Sequence, residues 1–338
     1  MAFNFEDLLK EEVTFENGMQ GKKIMVYGVN DTGKTKQLTK LDKPFLIMTE
    51  SGGSAVNCPK TPCTSWKDFN EIVKDMTAKA TFDKRYEVCH TIIIDTAENL
   101  VAQSEKAVCA QFGVRDLSEI QGRQNGYKIA RTDFEMQISK LTSAGYCVVF
   151  IAHEEKVVMT DEITQEEYEF VQPKGTSNEK SSMRMLRDLC DYCIYLRPNG
   201  IDKETFETIP STAICRRTKN VFARSRFNIR TFIEPFTAQG LIEAVEESVK
   251  KSAEEEGVQI SEYKNRRKEY TKEDYFEIIA PYASKLYEVC GDEVLSIIES
   301  ELGDNVLDYR NATDDQLVAL ENIYNKFVTK ATLLGLDI

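Results

Sequence analysis

Gly28, Val29, Asn30, Asp31, Thr32, Gly33, Lys34 and Thr35 follow one another in the chain. Two glycines enclosing four residues, then a lysine and a hydroxyl residue, form the phosphate-loop pattern G-x-x-x-x-G-K-[ST]. The glycines allow a turn tight enough for successive backbone N–H groups to face one anion, and a following helix adds its N-terminal field. Lys34 would reach the β- and γ-phosphates of a nucleoside triphosphate, and the Thr35 hydroxyl would ligate magnesium. The implied cofactors are ATP and Mg2+. A plain glycine turn before a helix is the competing reading, and the apolar strand before the loop weighs against it.

Ile92-Ile-Ile-Asp95 is an apolar run ending in a carboxylate, the pattern of a strand whose Asp95 holds magnesium, generally through water. The next residue is Thr96, where many P-loop motor ATPases carry a catalytic glutamate. The base that activates water must then come from elsewhere. Glu50 leads, because it ends the strand that follows the loop's helix, and strand ends on that side of a parallel sheet converge on the ligand. Glu98, at helical spacing from Asp95, is the reserve. His153 ends the run Cys147-Val-Val-Phe-Ile-Ala152 on the same side, where it can bond the γ-phosphate and report its loss to the adjoining loop. A packed structural histidine is the plainer reading, and the one adopted for His90.

The elements needed to position these residues can be read from the apolar pattern. Strands are expected at 23–27, 44–49, 90–95, 146–152 and 191–196, with helices between them over 34–41, 66–80 and 126–144. Trp66, Phe69, Val73 and Met76 share one helical face. Short, nearly continuous apolar strands alternating with helices indicate a mostly parallel sheet covered on both faces. Ser51-Gly-Gly-Ser54 reads as a loop. Residues 157–159 and 168–171 suit the arms of a hairpin, and 211–219 and 229–233 look extended. From Leu241 strand signals cease: 241–256 is a charged helix, and 272–300 is helical with a break near Pro281. Thr313 to Gln316 has capping-box spacing and opens a helix with the stripe Leu317, Leu320, Ile323 and Phe327. The expected division is an N-terminal extension (1–20), an α/β P-loop core (21–240) and an acidic helical C-terminal domain (241–338).

The 338 residues are 41% hydrophobic and 29% charged, enough for two packed domains. No run approaches the length of a membrane span, and the acidic N-terminus lacks the basic and apolar regions of a secretory leader. Nine cysteines, an odd number over a long chain, suggest reduced thiols in a cytosol-like compartment. Cys58, Cys63, Cys190 and Cys193 have zinc-like spacing, but Cys193 falls in a core strand and packing is the simpler account. The net charge of −13 is unevenly spread. From Leu241 onward there are 22 acidic and 11 basic residues, against 34 and 32 before it. Residues 208–233 hold no acid and six bases: Arg216, Arg217, Lys219, Arg224, Arg226 and Arg230. That segment suits a solvated face, a nucleic-acid contact or a cationic finger entering a neighbouring subunit's site. Tyr263 to Lys268 reads as a solvated linker.

Taken in order, residues 27–35, 48–50 with the following Gly-Gly, 92–96, 150–153, 190–196 and the basic stretch 219–226 resemble the RecA-type P-loop ATPases. They resemble more closely the compact phage-encoded relatives that anneal or recombine single strands. The resemblance covers about residues 20–235. It implies that Glu50 activates the attacking water and that His153, where RecA has Gln, couples nucleotide state to a DNA-binding loop at 154–182. It implies further that Lys219 or Arg224 contacts the ATP of an adjacent protomer in a ring or filament. Single-stranded DNA is then the expected partner, in the host cytoplasm. Glu162, Glu166, Glu167 and Glu169 give that loop a mixed charge. The rival is a nucleotide-gated interaction protein whose acidic C-terminal domain docks a replication or packaging partner. A small-molecule kinase fits less well without an Arg-rich lid, and a GTPase is disfavoured because N-K-x-D is lacking.

Overall fold

The computed structural model describes residues 14–50, 56–78, 82–120, 125–261 and 271–336. The 51–54 loop, the basic run 263–268 and the first thirteen residues lie outside them. The chain divides into two compact units, residues 1–73 with 88–265, and residues 74–87 with 266–338.

The first unit opens with β1 (Thr14–Glu16) and is built on a nine-stranded sheet. Its parallel strands are β2 (Lys23–Tyr27), β3 (Pro44–Met48), β4 (Lys60–Pro62), β5 (Thr91–Asp95) and β6 (Cys147–Ala152). A hairpin, β7 (Glu154–Thr160) with β8 (Glu167–Pro173), leaves the sheet directly after β6. Strand β9 (Tyr192–Arg197) returns to it, followed by β10 (Thr212–Ile214), β11 (Arg224–Ser225) and β12 (Phe232–Ile233). Across the sheet the order is β12-β10-β9-β2-β6-β5-β3-β4, with β11 also on β9. The six strands from β9 to β4 run parallel, and β10, β11 and β12 pair antiparallel. Every residue of β6, and Ile24–Tyr27 and Thr91–Ile94, are buried. These runs are apolar throughout because both sheet faces are covered. Trp66, Phe69, Val73 and Met76, the shared helical face, are all buried. Trp66 stacks on Phe69 and Phe134 and donates Nε1–H to Asp133 at 2.7 Å. Cys190 and Cys193 are completely buried, which pushes both thiols up.

Several expectations need correction. The core does not end at 240. In helix Ala238–Glu256, Leu241, Ala244 and Val245 are completely buried in one apolar cluster with Ile24, Val26 and Ile194. The charges on its outer face suggested a separate domain, but its apolar face completes this core. Strand pairing also persists beyond Leu241: β13 (Gln259–Ser261) pairs in parallel with β1. Only 212–214 and 232–233 of the two extended stretches form strands, and helix Lys34–Leu38 is shorter than read.

In the second unit, helix Lys272–Leu302 keeps Pro281 within it and leaves helical geometry at Cys290 instead. The following Gly291 has the low helix propensity that tolerates a break. The Thr313 capping box is present and leads into helix Leu317–Leu333. Leu320, Ile323 and Phe327 are completely buried there against Tyr275, Ile279 and Leu286.

The register decides where the chemistry sits. Tyr27 is level with Ala152 and Tyr195, Asp95 with Ile151, and Met48 with Asp95. Gly28, His153, Thr96 and Thr49 therefore emerge along one edge of the sheet. Gly28 has no room for a side chain: a Cβ there would lie 2.6 Å from the Leu196 carbonyl oxygen of β9. Gly28→Ala is expected to destabilise the chain by about 1–3 kcal/mol through this backbone overlap and to weaken nucleotide binding. Urea unfolding and nucleotide titration of the variant check both effects.

Candidate nucleotide-binding site

The loop after β2 is held from within. Thr32 Oγ1 donates to Val29 O at 3.0 Å, and Ser211 Oγ, just before β10, donates to Thr32 O at 3.0 Å. Gly33 has φ +78°, a left-handed conformation that glycine adopts without strain, and helix Lys34–Leu38 starts immediately after it. Lys34 is 7% exposed. Its Nζ donates to Gly28 O at 2.9 Å and Val29 O at 2.6 Å, with Thr32 Oγ1 at 3.4 Å. Burial lowers its pKa, and the charge of Asp95 is the largest effect opposing this. A phosphate oxygen is a stronger partner for that ammonium than a neutral carbonyl.

Thr35 Oγ1 donates to Asp95 Oδ2 at 2.8 Å, so the hydroxyl and the carboxylate converge beside the loop. Burial holds the Asp95 carboxyl above its ordinary range, only partly offset by the Thr35 hydrogen bond and by Lys34. Two hard oxygen donors beside a phosphate loop, one on a poorly compensated, partly buried carboxylate, suit magnesium, which binds through one or two protein oxygens plus substrate phosphates. Thr35 and Asp95 would hold it, and it would supply charge neutralisation between the phosphates.

Residues 30–36, Met48, Glu50, Val56, Asp95, Thr96, Ile151 and His153 line a cavity of about 320 Å³ at this edge. Strand β6 lies between β2 and β5, which sets His153 between the loop and Asp95. Thr49 sews the neighbouring exits together: its N–H donates to Asp95 O at 2.8 Å, its hydroxyl donates to Thr96 O at 2.9 Å and accepts from Thr96 N–H at 2.7 Å. Glu50 follows, exposed, with Oε2 accepting from Asn99 Nδ2 at 3.1 Å. His153 Nδ1 lies 2.5 Å from Glu98 Oε1. Thr49, Asn99 and Ser211 were not singled out by sequence pattern. Asn99 carried a usable signal, lying four residues after Asp95 at the start of a helix, whereas Ser211 and Thr49 are brought in by strand pairing.

Lys219 and Arg224 do not line this cavity. Lys219 pairs with Asp161 at 3.3 Å and sits over the Tyr168 ring. Arg224 donates to Asp188 O, and β11 places it level with Cys193, itself level with Met25 in β2. Arg224 is thus level with the middle of β2, set back from the Gly28 end. Arg216 donates to Ile229 O at 2.6 Å, Arg217 lies over the Phe170 ring, Arg226 pairs with Asp191 and Arg230 with Glu247. All six bases of the acid-free segment have partners in their own chain.

A strand, glycine loop and helix facing a strand-end carboxylate across this cavity define a P-loop nucleotide-binding domain. The AAA domain family matches residues 20–227, and the chain belongs to that family of P-loop ATPases. The chain is also 31% identical over 297 residues to the SPbeta prophage-derived uncharacterized protein YorG of Bacillus subtilis (strain 168). That alignment spans 86% of this chain and 87% of the relative. Among the described residues, no helix is long and apolar enough to cross a membrane.

The raised pKa of Asp95 has a stability consequence. Ionising this carboxyl costs the folded state at neutral pH. The cost is absent below the ordinary carboxylate pKa and grows as pH rises through the raised value. Asp95→Asn is therefore expected to raise the nucleotide-free melting temperature at pH 7, with the gain shrinking toward pH 4. Thermal melts of both proteins across that range check the sign.

Proposed function

We propose that this protein is a RecA-like ATPase that binds and hydrolyses Mg-ATP and acts on single-stranded DNA in phage recombination or replication. The observation that carries the reading is chain continuity at the cavity: His153 lines it, and the next residue begins the β7–β8 hairpin. The base of that hairpin is also fastened to the phosphate-loop strand, because the Tyr27 hydroxyl donates to Val171 O at 3.3 Å and Phe222 O at 2.5 Å. Glu155 accepts the backbone N–H groups of Gly175, Thr176 and Ser177 at 2.8–3.1 Å, tying the hairpin to the segment after it. A displacement at the γ-phosphate thus has a short covalent and hydrogen-bonded route into residues 154–182. The prophage origin of the relative supports the phage setting.

In this reading the loop amides and Lys34 hold the phosphates, and Glu50 takes the proton of the attacking water as the bond to the leaving phosphate breaks. His153 contacts the γ-phosphate and couples its loss to the hairpin. Self-association into a ring or filament would bring Lys219 or Arg224 to a neighbour's nucleotide. Arg224, level with the middle of β2 and outside the cavity lining of its own chain, would act in that way. Lys219 would exchange its contact with Asp161.

One observation favours a second reading. The six bases of 208–233 are already engaged within the chain, which reduces the cationic surface open to DNA. ATP would then be a gating ligand, and the acidic C-terminal region would dock a replication or packaging protein.

ATP hydrolysis with and without single-stranded DNA distinguishes the two. The first reading expects stimulation by DNA that weakens with salt, since phosphate contacts release counterions; slow turnover indifferent to DNA supports the second. Lys34→Ala is expected to remove most nucleotide affinity. Glu50→Gln is expected to keep binding and lose turnover by about 10²–10⁴-fold, the usual contribution of a general base. Normal turnover in Glu50→Gln eliminates Glu50 as the base.

A further inference from the structure

We propose that Glu98 is the positioning residue for His153, a largely buried carboxylate that fixes the imidazole at the cavity wall and does not itself activate water. The inference rests on the ATPase reading above for its kinetic consequence, but the contact stands independently of turnover.

Glu98 lies in the first turn of helix Ala97–Phe112, three residues after Asp95. A single oxygen, Oε1, accepts from the His153 ring at Nδ1, 2.5 Å away, and from the His153 backbone N–H at 3.3 Å. The other oxygen, Oε2, is buried and has no hydrogen-bond partner among the described residues. A base for the attacking water must offer an oxygen to the cavity. Glu98 has one oxygen committed twice and the other closed off, and it is not among the residues lining the cavity, whereas Glu50 and His153 are.

The double contact on Oε1 has a geometric effect. The helix that starts after Asp95 grips both the ring and the main chain of the residue that ends β6. Two contacts on one atom fix the torsion of the imidazole as well as the position of its Cα. With Nδ1 committed, Nε2 is the ring nitrogen left for a ligand. Carboxylates that orient a metal-bound imidazole commonly contribute about 10–100-fold, and the same order is expected where the oriented imidazole meets a phosphate.

The chain has two histidines, which makes a direct test practical. His90 Nδ1 lies 2.5 Å from Asp42 Oδ2, so each imidazole has a carboxylate-bound Nδ1 and His90 serves as the internal reference for folding. In protein labelled with ¹⁵N-histidine, Glu98→Ala is expected to remove the His153 Nδ1–H resonance and keep that of His90. Glu98→Gln, which retains an acceptor, is expected to keep both.

In ATP hydrolysis, Glu98→Ala is expected to lower kcat about 10–100-fold with KM for ATP little changed. Adding it to His153→Ala should produce no further loss, and Glu98→Gln should recover most of the rate. An intact His153 resonance in Glu98→Ala, an unchanged kcat, or a loss that multiplies with that of His153→Ala would overturn the proposal. If Glu98→Ala does not fold, loss of the His153 resonance in folded Glu98→Gln overturns it and retention supports it. A wild-type chain that hydrolyses no ATP would count against the ATPase reading alone, since the resonances still decide the contact.

Discussion

The in-register parallel pairing of β2, β6, β5 and β3 is the constraint on which the site depends. Each strand carries an apolar run and then one chemistry-bearing residue or turn, and the hydrogen-bond ladder brings those endings level. Slipping one strand by a single residue would turn its side chains to the other face of the sheet. Here that would move His153 or Asp95 away from the phosphate loop. Burial on both faces makes such a slip costly, so the same hydrophobic effect that forms the core also sets the spacing of these strand ends.

The site concentrates charge where the surroundings least support it. Lys34 is buried with its ammonium on loop carbonyls, and Asp95 is held above the ordinary carboxylate range by desolvation. The two groups partly compensate one another, and Thr35 supplies a hydrogen bond. Phosphates and a divalent cation would complete the balance, so ligand binding and local stability are linked. Glu98 shows the same economy of partners, with one oxygen serving two donors from a single residue.

The acid-free segment shows why charge counted along a chain differs from charge available at a surface. Its arginines and lysine grip the Ile229 carbonyl, the Phe170 ring of β8, Asp191 just before β9 and Glu247 of helix Ala238–Glu256, among others. They stitch the antiparallel edge of the sheet to its surroundings. The same edge supports the phosphate loop, through Ser211 bonding Thr32 O and through Leu196 closing on Gly28.

The amino-acid sequence alone determined the phosphate loop, Asp95, the alternation of buried strands with helices and the helical character of the C-terminal region. These are local signals: glycine spacing, an apolar run ending in a carboxylate, and side-chain periodicity. Only the tertiary structure decided the strand order, since nothing local states that β6 lies between β2 and β5. That order places His153 beside Asp95 and within reach of Glu98, a pairing across 55 residues of sequence. The same holds for helix Ala238–Glu256, whose charged outer face suggested a separate domain until its apolar face met the sheet. It holds for Lys219 and Arg224 as well, whose intramolecular partners lie 58 and 36 residues away. Long-range pairing is set by which faces bury together, and a linear pattern shows that a face exists without showing what covers it.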